Sequence, residues 1–175
     1  MAKMRVADRL VRWVPAAVAV VRVGDTAVVC GVRAEILLAS SIPQPPPPSV
    51  TPAEEEAAEE LAALGLLVPN LTLSTGCSPA HLPGSPPSPL AQSLTQRILT
   101  LLHTSRLVSL SDLMISHQPP ADAADAEPPP APEIKAYWTL YIDVLFISLD
   151  GNAFDAAWGA VLAALGDTRL PGACR

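Results

Sequence analysis

The sequence predicts an α+β domain, and three observations carry that expectation. Two segments rich in β-branched residues flank a short Gly-Asp turn within residues 17–38. An apolar repeat at helical spacing runs over 90–102, and a long apolar strand at 137–149 passes through a tight turn into a further helix. Strands, then a helix, then a strand and a helix make an α+β layout, in which helices gather on an antiparallel or mixed sheet.

Taken in order, residues 17–23 (AVAVVRV) and 27–38 (AVVCGVRAEILL) read as two antiparallel strands closed by Gly24-Asp25-Thr26. Residues 43–50 (PQPPPPSV) can join neither a ladder nor a helix and read as surface loop. Thr51-Pro52-Ala53-Glu54 makes a helix start, with threonine as cap, proline at the first position and Glu54 able to close a capping box. The acidic run 54–60 suits the positive end of a helix dipole, and Gly65 would end the helix; a solvated acidic loop is the alternative. Residues 66–74 (LLVPNLTLS) read as extended, with Pro69 confining them to an edge or an end.

Ser88 can cap a second helix that has Pro89 at its first position, and Leu90, Leu94, Ile98, Leu101 and Leu102 define its expected buried face. The strand 137–149 (YWTLYIDVLFISL) is apolar on both alternating sides, so cover on both faces is expected. Asp150-Gly151-Asn152 turns the chain into a last helix carrying Phe154, Trp158, Val161, Leu162 and Leu165, ended by Gly166. The expected organisation is one domain over 16–171 with Pro-rich loops at 41–52, 78–89 and 117–132. Residues 1–15 form an unmatched N-terminal segment and 172–175 a tail.

Composition narrows the function classes. At 175 residues the chain suits one domain, and 50% hydrophobic residues allow a real core. With only 4% aromatic residues, that core must rest on Leu, Val, Ile and Ala. Net charge is −6, and the cations Lys3, Arg5, Arg9, Arg12, Arg22 and Arg33 crowd the first 35 residues, which leaves an acidic body. Such a body is a poor stand-alone nucleic-acid binder, because phosphate binding depends on clustered cations. Cys30, Cys77 and Cys174 lack regular spacing and fit a reducing compartment. No apolar run approaches bilayer length. An Arg-rich targeting segment over 1–23 is disfavoured by Pro15 and Arg22. The sequon Asn70-Leu71-Thr72 lies in an apolar run, and burial is expected there before glycosylation.

Chemistry-bearing patterns are sparse. His81, His103 and His117 are far apart, and Cys77 with His81 is too little for a metal site of three or four ligands. There is no Gly-x-Ser-x-Gly elbow and no phosphate-cradling glycine loop. Asp143 is the pointed feature, a carboxylate inside an apolar strand that must be paired, hydrogen-bonded or at a cleft. With Asp150 and Asp155 it could form an acid or metal site. Structurally read, Asp143 ties down a neighbouring backbone and Asp150 makes the turn.

Four stretches in order resemble the RNase PH-like subunits of the eukaryotic RNA exosome ring: VVRVGDTAVVCGVRAEI from Val20, LVPNLTLSTGCS from Leu67, LTQRILTLLHTSRLVSLSDL from Leu94, and Ala136 to Pro171 with its DGN-x-FDAA turn and helix. The resemblance implies a partial RNase PH-like fold of the ribosomal protein S5 domain 2-like kind, an antiparallel or mixed sheet backed by helices. It implies pairing with related subunits in a six-membered ring that threads RNA, with cap subunits on one face, no cofactor and no membrane. Residence in the nucleus, nucleolus and cytoplasm follows from the same resemblance. Family members also have an R-x-D-G-R-type motif and further final strands and a long helix that this sequence does not match.

Active members carry an Arg-rich helix; the matching helix here keeps only Arg97, a weak RNA-binding candidate, with Leu101 and Thr104 where later arginines would stand. Asp143 and Asp150 remain, but Leu145 falls where a further acid is expected and Asn152 replaces a glycine. The resemblance therefore implies a non-catalytic ring subunit supporting 3′–5′ RNA processing and degradation, with Asp143, Asp150 and Asn152 structural. An active phosphate-dependent 3′–5′ exoribonuclease is the alternative, and an unrelated α+β domain a third reading.

Overall fold

The expected hairpin opens the described part of the chain, which in this computed structural model comprises residues 14–42, 54–82, 84–117 and 133–171. Strand β1 (Val14–Val23) turns through Gly24 and Asp25 into β2 (Thr26–Leu38), with Val23 opposite Thr26. Gly24 sits at φ +62°, and among the described non-glycine residues only Arg106 has positive φ. A positive φ at the first turn residue alone is the primed geometry that matches strand twist. The turn is tied to the far end of the sheet. The Thr26 hydroxyl donates to the Asp150 carbonyl at 2.7 Å and accepts from the Asp150 N–H at 2.9 Å, while the Ser148 hydroxyl donates to the Asp25 carbonyl.

Helix α1 (Glu54–Leu64) forms where the acidic run stands and ends at Gly65, φ +61°. Its proposed cap at Thr51-Pro52-Ala53 and the loop 43–50 lie outside the described residues. Strand β3 (Leu67–Leu73) follows and pairs in parallel with β5 (Glu133–Ser148). Sheet order is β1-β2-β5-β3, so Pro69 stands on an edge strand as expected. Helix α2 (Pro89–Ser105) is capped by Ser88, whose hydroxyl accepts from Ala91 N at 3.2 Å.

Short helix α3 (Leu110–Leu113) and strand β4 (Met114–His117), which pairs with the start of β5, were not legible as elements. The expected loop at 117–132 thus begins with a strand residue, and 118–132 lie outside the described residues. Helix α4 (Ala153–Asp167) closes the fold.

One face of the sheet holds the core. Val28, Cys30, Val32 and Ala34 of β2 stand opposite Phe146, Val144, Ile142 and Leu140 of β5, and Leu67, Leu71 and Leu73 of β3 join them. Helix α2 covers this face over β3, and α4 covers it over β1 and β2. Helix α4 meets the sheet through Ala156, Ala157, Ala160, Val161 and Ala164. Its larger residues Phe154, Trp158 and Leu165 are half-buried at the flanks, and Leu162 is exposed.

Three expectations are corrected here. The buried face of α2 is Ala91, Leu94, Ile98 and Leu102, whereas Leu90 is exposed and Leu101 half-exposed. The run of Leu101 and Leu102 hides which one the helical step turns inward. Strand β5 is not covered on both faces, since Leu145 and Ile147 are 43% and 49% exposed. Gly166 does not end α4, which runs one residue further and stops where the Thr168 hydroxyl donates to the Ala164 carbonyl.

Candidate functional site: a slot at the edge of β3

The opposite face of the sheet is open among the described residues. Cross-strand register brings Arg33 of β2 beside Tyr141 of β5, and Gly31 of β2 and Asn70 of β3 beside Asp143. The Arg33 guanidinium lies 4.7 Å above the Tyr141 ring, a cation–π contact. Its Nε is 3.3 Å from Asp143 Oδ2, and Glu35 Oε1 is 3.6 Å from its Nη1. Asn70 Nδ2 donates to Asp143 Oδ1 at 3.3 Å. Arg33 Nε is enclosed yet points no directed hydrogen bond at any acceptor, so its link to Asp143 is an ion pair by distance alone.

Asp143 therefore engages two side chains, where the sequence reading had it tie down backbone. Its carboxylate also reaches through the sheet. Burial first, and Asp143 second, push the Cys30 thiol up to about 12, which makes that cysteine inert as a nucleophile.

Beside Asn70 a slot of about 380 Å³ opens between the outer edge of β3 and the loop that leads to Ser88. Asn70, Thr72, Ser74 and Thr75 form one wall and His81 and Ser85 part of the other; Leu145 closes it from β5. Gly76 lets the chain leave β3 tightly, since a Cβ there would come within 2.1 Å of the Ile147 carbonyl oxygen. Hydroxyls and the Asn70 amide share the lining with leucines and prolines. It contains no Arg, Lys, Asp or Glu among the described residues, and His81 is its one titratable side chain. A second depression, about 320 Å³ between α3 and the end of α4, is walled mainly by leucines, and its Asp112 is spent in the capping box with Ser109.

The residues singled out by sequence do not converge. Arg97 is exposed on α2 and does not line the slot. Asp150 acts through its backbone on Thr26. Asn152 caps α4, its Oδ1 accepting from Asp155 N at 3.3 Å. Among the described residues no three of His, Cys, Asp and Glu gather as a metal site would need, so the acidic trio Asp143, Asp150 and Asp155 is not a cluster. The sequon is corrected too: Asn70 and Thr72 are exposed on the open face, and only Leu71 is buried. Sequence reading missed Arg33, Tyr141 and Asn70. Their signal was parity, each being the polar or amphipathic residue on the side of its strand opposite the core.

Residues 15–171 match the model of the 3′ exoribonuclease family, domain 1, known as RNase PH. The chain belongs to the RNase PH family. It is 37% identical over 153 residues to the exosome complex component rrp43 of Schizosaccharomyces pombe, covering 87% of this chain and 44% of that protein. It is 29% identical over 153 residues to the exosome complex component Rrp42 of Methanothermobacter thermautotrophicus, again with 44% of that protein covered. Among solved structures, a chain of the Archaeoglobus fulgidus exosome with RNA bound to the active site superposes with a TM-score of 0.60. Identity there is 25%, over 90% of this chain and 48% of the other. An archaeal exosome core shares the fold, with a TM-score of 0.57. The chain thus spans less than half the length of the relatives it matches. Within the family, Leu145 puts a hydrocarbon into the slot where the resemblance expects an acid.

Proposed function

We propose that this chain is a non-catalytic structural subunit of an RNA exosome ring, holding related RNase PH-like subunits and cap subunits in place while RNA passes through the assembly. The observation that carries the reading is the neutral slot. Phosphorolysis develops negative charge on a transferring phosphate, and its stabilisation depends on cations fixed where that charge appears. The slot offers neither a cation to hold phosphate nor a carboxylate, and the nearby Asp143 is held by Arg33 and Asn70. Supporting it is the likeness to exosome components of two domains of life over nine-tenths of the chain. Arg97 is at most an incidental RNA contact on the surface of α2. Residence in nucleus, nucleolus and cytoplasm accompanies this reading.

The test is direct. Purified protein with single-stranded RNA and inorganic phosphate is expected to release no nucleoside diphosphates, and Asp143→Asn is expected to change nothing. Phosphate-dependent release that Asp143→Asn abolishes would show an active exoribonuclease. Co-purification from cells is expected to recover RNase PH-like partners.

A further inference from the structure

The loop that walls the slot repeats one dipeptide. Three serines there each stand directly before a proline: Ser78-Pro79, Ser85-Pro86 and Ser88-Pro89. A further pair, Thr51-Pro52, lies outside the described residues. A hydroxyl directly before proline is what proline-directed protein kinases phosphorylate. Proline brings no N–H to their groove, and it biases the residue before it toward the extended backbone in which a substrate chain is read.

The structure separates the three serines. Ser78 is half-buried and begins a turn, its carbonyl accepting from His81 N at 3.0 Å and its hydroxyl from Ala80 N at 3.3 Å. Pro79 is folded into that turn. Ser88 is half-buried too and caps α2, its hydroxyl accepting from Ala91 N, and Pro89 already belongs to the helix. Ser85 differs on each count. It is exposed, as are Gly84, Pro86 and Pro87, and among the described residues its hydroxyl engages no hydrogen-bond partner. Its N–H donates to the Leu82 carbonyl at 3.2 Å and closes a turn at Gly84, φ +81°, so the hydroxyl stands just past a bend. Residues 85–88 then run without helix or ladder. Ser85, Pro86 and Ser88 each precede a proline, which holds the stretch in polyproline II-like extension. Ser88 at φ −65° and ψ 157° has that geometry. Gln92 Nε2 donates to the Pro87 carbonyl at 2.9 Å and ties the stretch to α2.

We infer that Ser85 is a phosphorylation site for a proline-directed serine/threonine kinase, and that the phosphate it carries stands in the slot beside β3. In the transfer the Ser85 hydroxyl oxygen bonds to the γ-phosphorus of ATP. The bond from that phosphorus to the β,γ-bridging oxygen breaks, ADP leaves with the electron pair, and the hydroxyl proton passes to the kinase's base. Ser85 lines the slot, whose described walls carry no Arg, Lys, Asp or Glu. A phosphoserine brings about −1.5 to −2 charges at neutral pH, so the slot changes from neutral to one that repels anions. Neither step depends on membership of a ring.

Full-length protein with ATP and, in separate reactions, a cyclin-dependent kinase and a mitogen-activated protein kinase tests it, with sites located by mass spectrometry of the digest. Ser85 is expected to take up phosphate first with either enzyme. Ser78 and Ser88 should lag by about fivefold or more, the factor by which opening a capped turn reduces the competent population. Ser85→Ala, a change at an exposed loop position, should remove the fast phase, and Ser78→Ala should not. On the phosphorylated protein the backbone amide NMR signals of Asn70 and Thr72, on the facing wall of the slot, should shift although both are remote from Ser85 in sequence. No phosphate on Ser85 with either kinase overturns the inference, as does equal labelling of all three serines. Shifts confined to the sequence neighbours of Ser85 overturn the placement of the phosphate in the slot. None of these results touches the phosphorolysis and co-purification assays, so the ring-subunit reading fails or stands separately.

Discussion

Replacing Thr26 with valine keeps the shape of the side chain and deletes its hydroxyl. That residue is 1% exposed and is the one buried polar side chain among the described residues. Its hydroxyl both donates to and accepts from the Asp150 backbone, at 2.7 and 2.9 Å, and so joins the first hairpin to the turn before α4 across 124 residues. Each lost bond to a part-buried group costs about 1 kcal/mol, which gives about 2 kcal/mol for Thr26→Val. For a chain of this length each kcal/mol lowers the melting temperature by about 2–4 °C, so a fall of about 4–8 °C is expected. Thr26→Ser keeps both bonds and loses one methyl group, worth about 0.8 kcal/mol. Melts followed by circular dichroism should rank wild type above serine and serine above valine. A valine variant melting within a degree of wild type would refute the reasoning and place the turn's stability elsewhere.

Other outcomes follow from burial and charge. Burial raises the Glu60 carboxyl above its ordinary value of 4.5. The folded state holds that proton more tightly, so this contribution to stability is complete below about 4.5 and is lost as pH rises through the raised value. Glu60→Gln should therefore be more stable than wild type at neutral pH and flatten the acid side of the stability profile, read by urea melts across pH. Leu102→Arg places an unpaired charge in the core, where Leu102 is fully buried, and should cost about 3–5 kcal/mol. Leu101→Arg, one residue away and half-exposed, can lift its charge to water and should cost under about 1 kcal/mol. Equal costs in thermal melts would put the helix in another rotation.

The hairpin at 17–38, the capped start of α2 and the DGN turn into α4 were legible because each depends on residues adjacent in sequence: Gly24 for the primed turn, Ser88 with Pro89, Asn152 with Asp155; the start of β1 at Val14, three residues earlier, was not. The facing of α2 was misread because Ala91, a buried anchor, carries too little hydrocarbon to stand out beside Leu90. Helix α3 was announced by Ser109 and Asp112, a capping box too short to show a period. The site is the part that local reasoning could not assemble. Arg33, Asn70 and Asp143 come from three strands, and their meeting depends on a parallel pairing between β3 and β5 across 73 residues. Asp143 was visible as an anomaly, but nothing near it in sequence names its partners.

The alanine face of α4 sets a limit of its own. Ala156, Ala157, Ala160 and Ala164 let the helix backbone settle close on β1 and β2, so the gap between these layers is fixed by main chain and methyl groups. The four alanines of this seam have almost no volume to lose, and lengthening one of them in a close-packed layer forces the layers apart. The α2 seam, built from Leu94, Ile98 and Leu102, can trade shape for shape among large residues. Efforts to stiffen this protein by filling its interior therefore belong under α2, and at the buried alanines of α4 the same strategy would pry helix from sheet.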